Sequence, residues 1–597
     1  MTCKPDARRL LRSAGGGVGA ILLTLAACAE PPPPAPPVEQ ARQALAARDG
    51  LGAEIILREM LAEGITEPEV AAYLGEAELQ QDQPEEARRW LEPEAFSPDT
   101  SGLGFHMLGR LRMRDGNLPE AGKAFDRALD FIPDSPDLWV DIGRLRYLGG
   151  EQKQAVEASV RAAQLGPDNV AALQFRAQLV RDSAGMEAAL PWFEAALARN
   201  PDNLTLLGDY AATLGDAGQP REMLVVVRRM IELDESSARA FYLQAVLAAR
   251  GGQFDLARSL LDRAGSLQRE TPAAMLLSEI VDLETGNYAS ASQMLDRLER
   301  MQPDNARIRL LAARSLALGG NHRELVYRFE DRAAETGASP YLATLVGRSY
   351  EVLGERGEAA RFLDLAARGP MTGLHPLPSE TNLDVARTRG FRTGRDAVAL
   401  VRGLIGAGQY VAAIEGAEAF LRRAPGSGDA LALAGDTYLL AGQGAKAADY
   451  YAQAAAIRQS WPLTRRMVAA ELAAGRRQSG LTLLEYQLAN NSANTAAALM
   501  LAEAKLLAGD AAKAARLLDL AIANGARRDP QAWMLRARAA VVLDDPGTAR
   551  DAATRAYSLQ RMNPAATALL ARILKETGGD EAQILTLDQK AVKLQAR

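Results

Sequence analysis

Residues 105–133 read FHMLGRLRMRDGNLPEAGKAFDRALDFIP. The stretch spells helix, tight turn, helix, turn. Phe105, Leu108 and Gly109 stand on the first helix, Gly116 closes it, Ala121, Phe125 and Ala128 stand on the second, and Pro133 ends the unit. Bulky residues at helical spacing mark the buried stripe of each helix. Glycine suits the left-handed residue that closes a helix, and proline cannot continue one. Small residues on both helices let the two backbones approach closely.

The pattern repeats along most of the chain. Ala53, Ala87, Ala121, Ala155, Ala189, Ala257, Ala291 and Ala359 share one frame of 34 residues, broken only by Met223 and Leu325. Ala413, Ala447, Leu481, Ala515 and Ala549 form a second frame. Five residues earlier a glycine recurs, from Gly116 and Gly150 to Gly408 and Gly442, and twelve residues earlier a small residue, as at Gly75, Gly109, Gly143, Ala177 and Gly435. Glu279 and Glu503 occupy that small-residue column, and the units around Met223, Leu325 and Leu481 are degenerate. A fixed period of 20–50 residues marks a solenoid, in which each unit buries its apolar face on its neighbours.

Phe105, Leu108, Gly109, Ala121, Phe125, Ala128 and Pro133, followed by Trp139, Gly143, Ala155, Ala162 and Pro167, make the chain resemble the tetratricopeptide repeat (TPR) family over residues 40–577. The resemblance implies an all-α, right-handed α-solenoid of about 15 helix-turn-helix units. The frames break between Ala359 and Ala413, which lie one period plus 20 residues apart. Residues 40–368 therefore read as a first TPR block and 394–577 as a second, with 369–393 a Gly- and Pro-marked loop between them and 578–597 a C-terminal capping helix. That loop is either a passive linker or a segment that contacts a partner or kinks the solenoid.

Residues 1–27 read as a targeting segment, with basic Lys4, Arg8, Arg9 and Arg12 before a short apolar stretch. Leu25-Ala26-Ala27-Cys28 resembles the lipobox of bacterial lipoproteins, which implies lipidation at Cys28. A Pro-rich tether follows within residues 28–39, a composition that forms extended spacers. Ala29 stands where an aspartate would favour the inner membrane, so the expected location is the periplasmic face of the outer membrane, held by the lipid.

The net charge is −6, and removing residues 1–27 would leave about −9, with no lysine–arginine block to engage nucleic acid. Beyond Cys28 the chain has no cysteine, so helix stacking rather than disulfides must stabilise it. No metal-site, nucleotide-loop or nucleophile-elbow motif is present, and His106, His322 and His375 are widely spaced. The sequence therefore points to no enzyme, no cofactor and no metal.

In the repeat family the first helix of each unit lines the concave surface. The inward position, eleven residues before the framing alanine, holds Arg42, Glu76, Arg110, Arg144, Gln178, Ala212, Val246, Ile280, Arg314 and Arg348. The wall would run from basic to apolar and back. Arg110, Arg144, Arg314 and Arg348, with Tyr147 and Tyr242 nearby, are the candidate partner-binding residues, because arginine forks suit carboxylates. Pairing of these arginines with acidic neighbours such as Asp141 and Glu351 is the plainer alternative. The function expected is a membrane-anchored periplasmic scaffold that binds other proteins in pilus, secretin, outer-membrane protein or exopolysaccharide machinery. The alternative is direct binding or guiding of a polysaccharide.

Overall fold

The computed structural model describes residues 35–596, apart from 304, 336–337, 368–378 and 380. The expected targeting segment, Cys28, most of the tether and the first part of the inter-block loop lie outside the described residues. The described residues are helical, with no strand among them. Ten helix pairs run from Pro37–Ala46 with Gly50–Ala62 to Pro340–Leu353 with Arg356–Ala367. Six more run from Gly394–Gly406 with Tyr410–Arg423 to Pro564–Glu576 with Glu581–Gln595. The expected capping helix is thus the second member of the last pair. The first helix starts at Pro37, inside the stretch read as tether, because proline is tolerated in the first turn. The helix Leu383–Arg389 occupies part of the stretch read as loop, with Asn382 capping its start.

The chain forms two compact units, one ending at Met107 and one beginning at Leu108. The first is built around Ala41, Leu57, Met60, Val70 and Leu74. In it Gly75 leaves room for Leu91, whose side chain a Cβ at position 75 would overlap. The second unit repeats that interlock. A Cβ at Gly109 would overlap the Phe125 ring, and one at Gly435 the Tyr451 ring. Alanine plays the same part where Ala177 shares a cluster with Phe193, and Ala313 with Phe329. The small-residue column of the first helix is therefore a hole, filled by a bulky residue four positions after the framing alanine. Val401 and Ala417 exchange the two roles and are both fully buried. Ser159 replaces the bulky residue beside Gly143, and Phe175 of the next unit takes the space.

The turn between the paired helices demands a left-handed residue, supplied for example by Gly150 (φ 82) and Gly442 (φ 77). Arg48, Asp82 and Asp544 hold positive φ in the same column without being glycine. The turn geometry also corrects the second frame. Gly475 and Gly509 are the left-handed residues there, so the framing residues are Gly480 and Ala514 rather than Leu481 and Ala515. Leu484 and Leu518 then fill the holes at Val468 and Ala502, and Glu503 falls outside the column, exposed.

Within the second unit, the later helix pairs return to the earlier ones. The Lys153 amide donates to the Gly426 carbonyl (3.1 Å) and the Gln459 amide to that of Asp182 (2.8 Å). The Gly428 amide donates to Gln152 Oε1 (3.1 Å), the Tyr486 hydroxyl to the Ala184 carbonyl (2.6 Å) and Gln560 Nε2 to that of Ala366 (3.2 Å).

The interlock sets opposite signs for two similar substitutions. Gly357→Ala, at an open helical position, should stabilise the protein by about 0.5–1 kcal/mol. Gly435→Ala, which forces the Tyr451 ring aside, should destabilise it by about 1–2 kcal/mol after its propensity gain. Denaturant melts of both variants, with hydrogen exchange across residues 428–455, would check the signs.

Candidate binding surface

The inward column lies one residue beyond the buried hole, so the same helix that buries its small residue presents its neighbour. In the second unit every member of the column, from Arg110 to Arg348, keeps at least part of its surface in solvent. Arg110 and Arg144 converge on one buried carboxylate, with Arg110 Nε 3.5 Å from Asp141 Oδ2 and Arg144 Nη1 3.0 Å from Oδ1. The Arg144 guanidinium also sits 5.9 Å above the centre of the Phe175 ring. Arg314 lies 3.1 Å from Glu284, and Arg348 2.5 Å from Glu351. Each candidate arginine therefore has an internal carboxylate. The Arg348–Glu351 pair is exposed on both sides, and pairs of that kind are worth only about 0–1 kcal/mol, so a partner's carboxylate can share or displace it.

Tyr147 is exposed, whereas Tyr242 is half-buried among Leu207, Leu214 and Phe241 in two adjoining clusters. Burial, followed by the nearby Asp216 charge, raises the Tyr242 phenol above its ordinary value. Tyr242 serves the core as much as the surface.

The middle of the column, apolar at Ala212, Val246 and Ile280, is bordered by a polar network absent from the sequence reading. Asp209 accepts hydrogen bonds from Gln174 and Gln178 (2.9 Å each) and from Arg239 (2.5 Å). Burial alone would raise its carboxyl, but these donors outweigh it and hold the group below the usual range. Arg176 stacks 5.6 Å from the Trp192 ring centre, and desolvation lowers its pKa. A signal for this network was present: Asp141 and Asp209 both stand fourteen residues before the framing position.

Arg348 and Glu351 also line a cleft of about 270 Å³ with Arg561 and Lys590. No sequence pattern joins these residues; the return of the last helix pairs does. The tryptophans are engaged in structure. Trp139 Nε1 donates to the Pro133 carbonyl (2.8 Å), and Trp533 Nε1 to that of Arg527 (2.9 Å). His322 Nδ1 lies 3.1 Å from Ser349 Oγ, and His375 lies outside the described residues. Among the described residues no group of three or more His, Cys, Asp or Glu side chains could hold a metal ion, and no helix is long and apolar enough to cross a membrane.

Glu279 stands in the small-residue column of its unit, where the other units place a glycine or a small apolar residue. It is 1 % exposed, and its Oε2 has no hydrogen-bond partner. Burial, with the neighbouring Asp282 charge, lifts its pKa to about 8.

An α-solenoid of stacked helix pairs defines the class as a repeat protein. Residues 106–170, 280–343 and 398–462 match the family model described as tetratricopeptide repeat, and the chain carries tetratricopeptide repeats. It is 27 % identical over 284 residues to cellulose synthase 2 operon protein C of Komagataeibacter xylinus, covering 43 % of this chain and 21 % of that protein. It is 24 % identical over 482 residues to cellulose synthase operon protein C of Xanthomonas axonopodis pv. citri (strain 306), covering 69 % of this chain and 31 % of that protein. The chain thus spans less than a third of the length of either relative. Among solved structures, PilF of Pseudomonas aeruginosa is 16 % identical, with a TM-score of 0.32, over 36 % of this chain and 99 % of that one.

The Glu279 carboxyl titrates near 4.5 when unfolded and near 8 when folded. Stability from its protonated form is complete below about 4.5 and lost as pH rises through 8. Glu279→Gln should flatten this loss and stabilise the protein at pH 8. Hydrogen exchange across residues 272–301 at pH 6 and pH 8, corrected for intrinsic rate, would measure it.

Proposed function

We propose that this protein is a scaffold that binds other proteins along its repeat surface in the assembly or export machinery of the cell envelope. The observation that carries the proposal is the continuous column from Arg110 to Arg348, held facing solvent by the interlock beneath it. Its ends offer arginine forks and its middle an apolar strip, a combination suited to an extended or helical segment with acidic flanks. Two relatives named for cellulose synthase operons support exopolysaccharide machinery over pili or secretins as the setting. The Leu25–Cys28 sequence supports lipid attachment at Cys28 and placement at the periplasmic face of the outer membrane. An acyl anchor and a proline-rich spacer would keep the binding surface close to the bilayer.

The protein-binding reading is favoured over direct polysaccharide binding by three of the tryptophans. Trp139, Trp192 and Trp533 are committed to carbonyls or to arginine stacking rather than presented as free platforms for sugar rings.

In-cell crosslinking and mass spectrometry of the wild-type and Cys28→Ala proteins should recover envelope-export proteins with the anchored form alone. Replacing Arg110 and Arg144 by lysine keeps Asp141 paired but removes the planar forks. The double variant should remain folded and bind the recovered partner about tenfold more weakly. Undiminished affinity, or recovery of glycan in place of protein, would overturn the reading.

A further inference from the structure

A second cleft, of about 720 Å³, lies within the second unit where the two blocks meet. Its walls are the Gly149–Gly150 turn on one side and, on the other, residues from Phe391 to Asp429. The walls are fixed to each other by the Lys153–Gly426 and Gln152–Gly428 hydrogen bonds. The volume falls in the range of small-molecule sites, about 300–1,000 Å³.

The lining is strongly basic in an acidic protein. Arg392, Arg395, Arg402 and Arg423 face one carboxylate, Asp429, while the whole chain carries −6. Arg402 stands eleven residues before Ala413, the inward-column position of that unit, whereas Arg392, Arg395 and Arg423 lie outside the column. Among the described residues, Arg392 and Arg395 have no hydrogen-bonding or ion-pair partner. Arg402 Nε is buried without an acceptor, although its charge reaches Asp436. Arg423 is held in place, donating to the Phe391 carbonyl (2.7 Å) and lying 5.6 Å from the centre of the Phe391 ring.

Two further features suit the same ligand chemistry. The helix Gly394–Gly406 opens at the cleft, with Thr393, Gly394 and Arg395 on its wall. The positive end of the helix dipole therefore adds to the arginine charge. Asp396 is turned into the capping box with Thr393 and lies outside the lining. Phe391, Phe420, Ala397 and Val398 add an apolar part to the surface.

We propose that this cleft binds a small molecule carrying two or more phosphate or carboxylate groups, held by Arg392, Arg395 and Arg402. Its body packs against Phe391 and Phe420. Because the walls come from both blocks, the ligand ties them together. This site includes none of the column residues from Arg110 to Arg348, shares only Arg402 with the column pattern, and does not rest on the scaffold reading.

Isothermal titration of the purified protein in about 0.1 M salt, with pyrophosphate and separately with citrate as probes, tests the proposal. Saturable one-to-one binding of either probe is expected, and the stronger probe identifies phosphate or carboxylate as the preferred group. Arg392→Ala/Arg395→Ala, at two exposed positions, should weaken binding at least about tenfold. Arg402→Ala should do the same. Arg300→Ala/Arg516→Ala, which removes equal charge elsewhere, should bind as the wild type does. Failure of both probes to saturate, or binding that survives Arg392→Ala/Arg395→Ala, would overturn the proposal.

Discussion

The structure depends on one contact repeated along the chain: a bulky side chain of each second helix seated over a small residue of the first. Phe125 over Gly109 and Tyr451 over Gly435 are its plainest forms. Glycine inside a helix costs about 1 kcal/mol relative to alanine, so its presence there needs a compensating contact. The buried ring supplies that contact and fixes the rotation of one helix against the other. The exchange at Val401 and Ala417 shows that the pair must be complementary in volume, whichever helix carries the large member.

Once the rotation is fixed, the next residue on the first helix must face outward. That constraint carries the chain from packing to function. It places Arg110, Arg144, Arg314 and Arg348 in one column without any of them contributing to the core. It also explains their pairing with internal carboxylates, since Asp141 and Glu351 lie on the same helices as Arg144 and Arg348, three residues away. The arginines are oriented by those acids before any partner arrives, which lowers the entropy that binding must overcome.

Much of this was legible in the residues. The period, the left-handed turn column and the small-residue column each mark a separate steric requirement, and together they specify helix pairs. The frame slipped by one at Leu481 and Ala515 because those positions sit beside small or apolar neighbours. Only the left-handed residues Gly475 and Gly509 resolve the register. Asp209 and its donors were hidden in a stretch that reads as apolar when one column is followed alone. The return of the second block was not legible at all. It is made largely by backbone amides and carbonyls such as those of Lys153 and Gly426, groups present at every turn of every unit, together with glutamine tips such as that of Gln152. For the same reason the arginine-lined cleft could not be seen in the sequence, where Gly150 and Arg395 are 245 positions apart.

The closure of the later helix pairs onto the earlier ones is the claim on which both clefts rest, and a site-specific crosslink can test it directly. Gln154 and Gly426 approach each other closely enough that a Cβ at position 426 would meet the Gln154 side chain. In a chain with Cys3 and Cys28 replaced by serine, Gln154→Cys with Gly426→Cys should crosslink within one molecule on treatment with a short bifunctional thiol reagent, seen as a mobility shift absent from either single variant. A pair that stays uncrosslinked, in a protein whose helicity is unchanged, would contradict the closed arrangement.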